Sequence, residues 1–134
     1  MLIKKEIKFS SIKQMKVTFL DRETFPPHID ITTPKAISDW ENFNQTNPKN
    51  IIEHCKNSDI ILTNKVVLTK EIIEQLPTLK LICVTATGTN NINLDACRKN
   101  GVAVVNATNY GTASVAEHAL MLMLSLSRNL PRYL

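Results

Sequence analysis

Four short polar clusters hold the residues that could do chemistry. They are Asp21-Arg22, Thr63-Asn64-Lys65, the stretch TATGTNN at 85–91, and NATNYGT at 106–112. Each follows an apolar run. Gly88, one of only three glycines in 134 residues, sits in the third cluster. Successive backbone N–H groups after a strand form a concave anion nest, and a glycine lets an anion approach without a Cβ in the way. Thr87, Gly88 and Thr89 can therefore hold a carboxylate through backbone donors. The same stretch can also be a tight turn that caps the next helix, and residue types alone leave both readings open. Lys65 is either a ligand-facing cation or an exposed loop lysine. Tyr110, beside Gly111, either points its hydroxyl into a cleft or packs. His54 and His118 fall on expected helices, where a lone histidine is structural more often than catalytic. His28 has only Asp30 near it. Ser-His-Asp ordering, zinc spacing and a Walker loop are all missing, and glycines at 88, 101 and 111 cannot form a GxGxxG turn.

The elements that must position these clusters alternate between two periods. Residues 16–21 (KVTFLD), 59–63 (DIILT), 79–85 and 102–105 read as short buried strands, and 40–45 as a weaker one. Residues 34–40 read as a short helix with Pro34 in its first turn. Asn47-Pro48 starts another, with Ile51, Ile52 and Cys55 on its inner face. Thr69 opens a third, with Ile72, Ile73 and Leu76 inward, and Pro77 stops it. Asn93 caps a fourth through Lys99, and Gly101 closes it as a left-handed residue. Apolar strands separated by amphipathic helices make βαβ units, and five strands predict a flavodoxin-like, doubly wound parallel sheet. All four polar clusters then fall at the carboxyl ends of strands, where such sheets bind ligands.

The last helix is different. Ser114-Val115-Ala116-Glu117 reads as a capping box. From there to Arg128 the sequence is apolar on most sides, whereas a surface helix shows a single stripe. Such a helix needs cover on two sides: its own domain supplies one, and a second domain or subunit the other.

Bulk properties exclude several classes. The formal charge of +4 lies entirely in residues 1–16, where five lysines face one glutamate, and the rest is balanced. A neutral body with 5% aromatic residues has no phosphate track, which argues against nucleic acid. No apolar run approaches a membrane span. Residues 1–14 lack the apolar core of a signal peptide and read as a flexible basic extension. Three unpaired cysteines without metal spacing fit free thiols in a reducing cytoplasm. A metal-dependent receiver domain would need an acidic cluster, and Asp21 stands nearly alone.

Several motifs align with one family. MKVTFLDRETFPP (15–27), ILTNKVVLT (61–69), LPTLKLICVTATGTNNINL (76–94) and GVAVVNATNYGTASVAEHALMLMLSLSRN (101–129) resemble, in order, the NAD-dependent D-2-hydroxyacid dehydrogenases, closest to the glycerate dehydrogenase or hydroxypyruvate reductase branch. The resemblance implies a substrate domain at 15–110, and at 111–134 the first helix of a Rossmann domain that binds NAD or NADP. It implies substrate contacts from Asn64, Lys65, Thr87, Gly88 and Tyr110, with Ser114 and Val115 near the nicotinamide end of the cofactor. It implies a small 2-oxo or 2-hydroxy acid substrate and a homodimer through helix 115–128. The family's catalytic Arg, Glu and His lie in the later domain, so none is assigned here and the chain alone is expected to be inactive. Two departures are the lack of a proline after Asn106 and the presence of Asn93 where an aspartate is frequent. The alternative is a non-catalytic module that binds a carboxylate or dimerises.

Overall fold

A computed structural model describes residues 15–34 and 37–133. The expected basic extension at 1–14 lies outside the described residues. Five parallel strands form one sheet in the order β2-β1-β3-β4-β5: β1 (Met15–Phe19), β2 (Ile37–Asn42), β3 (Ile60–Thr63), β4 (Leu81–Val84) and β5 (Ala103–Asn106). This is the flavodoxin-like order, with its switch point between β1 and β3. Helices α1 (Ile51–His54), α2 (Lys70–Glu74), α3 (Leu94–Lys99) and α4 (Thr112–Ser127) complete the regular structure, with 3-10 turns at Arg22–Thr24, Pro48–Asn50 and Leu130–Arg132.

Where a helix at 34–40 and a weak strand at 40–45 are expected, the structure has strand β2 at Ile37–Asn42, so the second strand is present but begins three residues earlier. Ile37 N–H bonds to the Pro34 carbonyl at 2.9 Å, closing a turn, and the chain then pairs with the free edge of β1. The ladder supplies partners that the local pattern could not announce, and Lys16–Glu41, at 3.0 Å, adds an ion pair across the edge. The helix predicted from Asn47 is present but short. The Asn47 carboxamide caps the 3-10 turn, and Ile51 and Cys55 are buried, whereas Ile52 faces solvent. Helix α3 matches its expectation closely. The Asn93 carboxamide accepts from Ala96 N–H at 2.8 Å, and Gly101 has φ +69°. Val102 N–H reaches back to the Cys97 carbonyl and Gly101 N–H to that of Arg98, at 2.9 and 3.4 Å, a Schellman ending.

The connections β2→β3, β3→β4 and β4→β5 all run in one direction along the sheet. Right-handed crossovers therefore place α1, α2 and α3 on the same face. Burial agrees: Ile61, Ile82 and Val84 join Ile51, Cys55, Ile73, Leu76, Ala96 and Cys97 in one apolar cluster. The opposite face carries the alternate residues in register, Ile60-Leu81-Ala103 and Leu62-Cys83-Val105. These are half-buried or exposed, and Val105 is 50% exposed. Among the described residues no helix covers this face. On its β1 flank Phe19 is buried, with the Phe25 ring edge-on at 5.9 Å.

Helix α4 begins earlier than its sequence suggested. Asn109 takes a left-handed φ of 60° and turns the chain, so the helix starts at Thr112 with Gly111 as N-cap. Ser114 is then the third helical residue rather than the cap, and no hydrogen bond joins it to Glu117. No residue of α4 is buried, so the expectation that its own domain covers one side is also corrected.

Candidate active site

The carboxyl ends of the strands meet at one edge of the sheet, and Asp21 anchors it. Its side chain is buried at the end of β1 and accepts from the backbone N–H groups of Asn64 (2.9 Å), Lys65 (2.6 Å) and Val66 (3.3 Å), and from the Thr63 hydroxyl (3.3 Å). Three successive amides form a nest, filled here by the protein's own carboxylate. This spans the switch point and fixes the β3–α2 loop, so the backbone N–H groups of Asn64 and Lys65 are not free for a ligand. Sequence reading missed this role and took Asp21 for a lone acid. The available signal was its position, directly after an apolar strand next to the switch point.

The loop after β4 is held from both sides. Thr85 N–H bonds to the Thr63 carbonyl at 2.8 Å, and the Asn106 carboxamide donates to the Thr87 carbonyl at 2.7 Å. Ala107 N–H bonds to the Ala86 carbonyl at 3.1 Å. Asn91 donates its side-chain amide to the Val66 carbonyl at 3.1 Å, and Leu68 and Ile92 form a parallel bridge. The N–H groups of Thr87, Gly88 and Thr89 have no acceptor among the described residues. A Cβ on Gly88 would come within 3.0 Å of Asn90 Oδ1. Of these three residues Gly88 lines a cleft of about 360 Å³, with Asn64, Lys65, Val67, Ala86, Asn90 and Asn91.

Three residues singled out from sequence, Asn64, Lys65 and Gly88, thus line one cleft. Thr87 lies beside them in the loop, whereas Tyr110, Ser114 and Val115 do not line it. Lys65 has no ion-pair partner among the described residues. It also lines a neighbouring crevice of about 450 Å³ at the switch point, with Asp21, Thr46, Ile51 and Ile72. His54 stacks on Phe43 at 3.6 Å, its Nδ1 3.0 Å from the Thr46 hydroxyl. That hydroxyl gives its proton to the Leu20 carbonyl, so His54 braces the loop. The described residues contain no group of three or more metal-ligating side chains. The arrangement can bind a small anion between unpaired amides and a free ammonium.

The family model for the D-isomer specific 2-hydroxyacid dehydrogenase catalytic domain matches residues 7–128. The chain belongs to this family. A Haemophilus influenzae protein named as a 2-hydroxyacid dehydrogenase is 42% identical over 120 residues, which is 90% of this chain and 38% of that protein. A glycerate dehydrogenase of Methylorubrum extorquens is 36% identical over 119 residues, 88% of this chain and 37% of that enzyme. The chain therefore spans under two-fifths of the length of these relatives. Among solved structures, the D-lactate dehydrogenase of Aquifex aeolicus, complexed with NAD and lactic acid, superimposes with a TM-score of 0.69. It is 29% identical, and the match covers 87% of this chain and 35% of that one. The parallel five-stranded sheet is thus the dehydrogenase substrate-domain fold, and the family reaction is that of an oxidoreductase.

Proposed function

We propose that this chain is the substrate-binding part of a dehydrogenase that transfers a hydride between NAD or NADP and a small 2-oxo or 2-hydroxy acid such as hydroxypyruvate or glycerate. One observation carries the reading: Gly88, whose N–H is unpaired like those of Thr87 and Thr89 beside it, lines a cleft together with Lys65, which has no ion-pair partner among the described residues. The substrate carboxylate sits on the amides of Thr87 and Gly88. Asn64 and Lys65 form the rim, where Lys65 adds charge that falls off with salt. Tyr110 faces the substrate from the far side once the rest of the site is assembled. Residues 15–110 are the substrate domain. Residues 111–134 carry the first helix of a dinucleotide-binding domain, with Ser114 and Val115 near the nicotinamide. Two copies pair through helix 115–128 in the cytoplasm.

The residues of this chain do not fit the dinucleotide by themselves. A pyrophosphate turn needs three closely spaced glycines, and the glycines here stand 13 and 10 residues apart, at 88, 101 and 111. The dinucleotide therefore needs a turn from outside these residues, and, as the family resemblance implies the same of the proton donor, the 134-residue chain binds substrate without turning it over.

Titrating the isotope-labelled chain with D-glycerate tests this. The amide resonances of Thr87, Gly88 and Thr89 should shift together, and Lys65→Ala should weaken the binding. Saturating glycerate that leaves Gly88 unmoved rejects the carboxylate site. NADH oxidation by the purified chain with hydroxypyruvate rejects the inactive assignment.

A further inference from the structure

The proposed carboxylate site uses the amides of Thr87 and Gly88, and the end of the neighbouring strand holds both in place. A trans peptide is planar, so its C=O and N–H point in opposite directions. The described residues contain no cis peptide. Holding the carbonyl of one residue therefore fixes the direction of the next residue's N–H.

The two carbonyls that matter are held by two adjacent residues. The Ala86 carbonyl shares its peptide with Thr87 N–H and accepts from Ala107 N–H at 3.1 Å. The Thr87 carbonyl shares its peptide with Gly88 N–H and accepts from the Asn106 carboxamide at 2.7 Å. Asn106 is the last residue of β5, and β4 lies between β3 and β5 in the sheet. Carbonyls drawn towards β5 turn their amides towards the β3 side, where Asn64 and Lys65 follow the strand. Gly88 lines the cleft with those two residues, whereas Asn106 and Ala107 do not line it. The next peptide is not held. The Gly88 carbonyl has no donor among the described residues, so Thr89 N–H lacks this constraint. Two aimed amides match the two oxygens of a carboxylate. A carbonyl that accepts a hydrogen bond also polarises its peptide, which makes the N–H at the other end a stronger donor.

We propose that Asn106 is a positioning residue for the substrate carboxylate and acts through the Thr87–Gly88 peptide, with Ala107 N–H as its counterpart on the Ala86–Thr87 peptide. Both act through the loop rather than on the ligand. The inference rests on the proposed carboxylate site and specifies what aims its donors before a ligand arrives. Asn106 is exposed, and among the described residues the one hydrogen bond of its carboxamide is the bond to this loop. Removing that side chain therefore takes nothing from the core.

The isotope-labelled 134-residue chain and D-glycerate provide the test. An amide nitrogen's chemical shift responds to hydrogen bonding at the preceding carbonyl, so each peptide reports on itself. In the free protein, Asn106→Ala should move the Gly88 nitrogen resonance and leave that of Thr87 in place. It should weaken glycerate binding about tenfold with an unchanged urea midpoint. Asn106→Gln keeps the amide donor on a longer arm and should recover part of both losses. Ala107→Pro removes the other donor and should move the Thr87 resonance instead. Wild-type affinity in Asn106→Ala overturns the positioning role while the carboxylate site stands. Weaker binding that comes with a lower urea midpoint, and without recovery in Asn106→Gln, overturns it in favour of general support of the loop. Glycerate that leaves Gly88 unmoved in the wild type removes the carboxylate site itself, and the positioning role with it.

Discussion

Ile82 and Leu122 are aliphatic side chains in regular elements of one chain, yet their surroundings are opposite. Ile82, on β4, is fully buried beneath the short helices, and Leu122, on α4, is nearly half exposed. The difference is in what the chain brings to each. Three crossovers return over the same sheet face, so Ile61, Ile82 and Val84 on that side join residues of α1, α2 and α3 in one apolar cluster. Over the β3–β5 part of the other face no helix returns among the described residues, and no residue of α4 is buried. Apolar patterning shows that a surface needs cover, but it does not say which segment provides it.

The comparison predicts unequal costs for equal truncations. Ile82→Ala should lower the unfolding free energy by about 4 kcal/mol, since it removes transfer energy and leaves a cavity in a fully packed site. Urea unfolding would measure it. A loss below about 1 kcal/mol would mean that the helix-covered face is loosely packed.

Asp21 should come next. It lies between the core and the ligand-binding edge, and its carboxylate satisfies the amides of Asn64, Lys65 and Val66. Asp21→Ala strands those donors and should cost about 2 kcal/mol, with increased hydrogen exchange at 64–66. If exchange stays slow in the variant, the loop does not depend on this carboxylate.

The sheet side of this division could be read in advance and the helix side could not. Strands β1, β3, β4 and β5, the Asn93 cap and the left-handed Gly101 follow from local chemistry, in which partners lie within a few residues. The first residues of β2 read as helix, and its second half as only a weak strand, because ISDWEN gains its order from the edge of β1, which lies far away in sequence. The start of α4 was missed because Asn109 turns the chain before the Ser-Val-Ala-Glu pattern begins. In the cleft, Asn64, Lys65 and Gly88 were legible as small polar residues at strand ends. Asp21 was not, because its partners are more than forty residues away. The exposure of α4 was illegible for the same reason, since an apolar helix has one sequence pattern whether it is covered or bare.

Alkaline pH separates the two faces through their thiols. Burial pushes Cys55 from its ordinary 9.0 up to about 12, partly offset by Lys16. The thiol in the unfolded chain ionises first as pH rises, so the folded state loses relative stability between pH 9 and 12. At pH 10 the loss from this group is about 1.4 kcal/mol. Comparing Cys55→Ala with wild type at pH 8 and pH 10 isolates it, because the variant should lack that increment. On the open face Cys83 is only half-buried and is also raised by burial. At pH 8 in the folded protein, iodoacetamide should modify Cys83 before Cys55. The reverse order would place cover on the wrong face.

The smallest expected effect is at Leu122, and it is the most discriminating. Leu122→Asp removes little packing from the sheet domain, because no residue of α4 is buried and Leu122 is about half exposed. Measured at low protein concentration, its unfolding midpoint should agree with wild type to within about 0.5 kcal/mol. At high concentration the wild type should become harder to unfold, because association stabilises only the folded state, and the variant should not. A midpoint that falls equally at every concentration would show that α4 already packs within its own chain, and the contrast between Ile82 and Leu122 would disappear. A midpoint independent of concentration in both proteins would leave α4 exposed even in concentrated solution. The helix would then be paired only by chain outside these 134 residues.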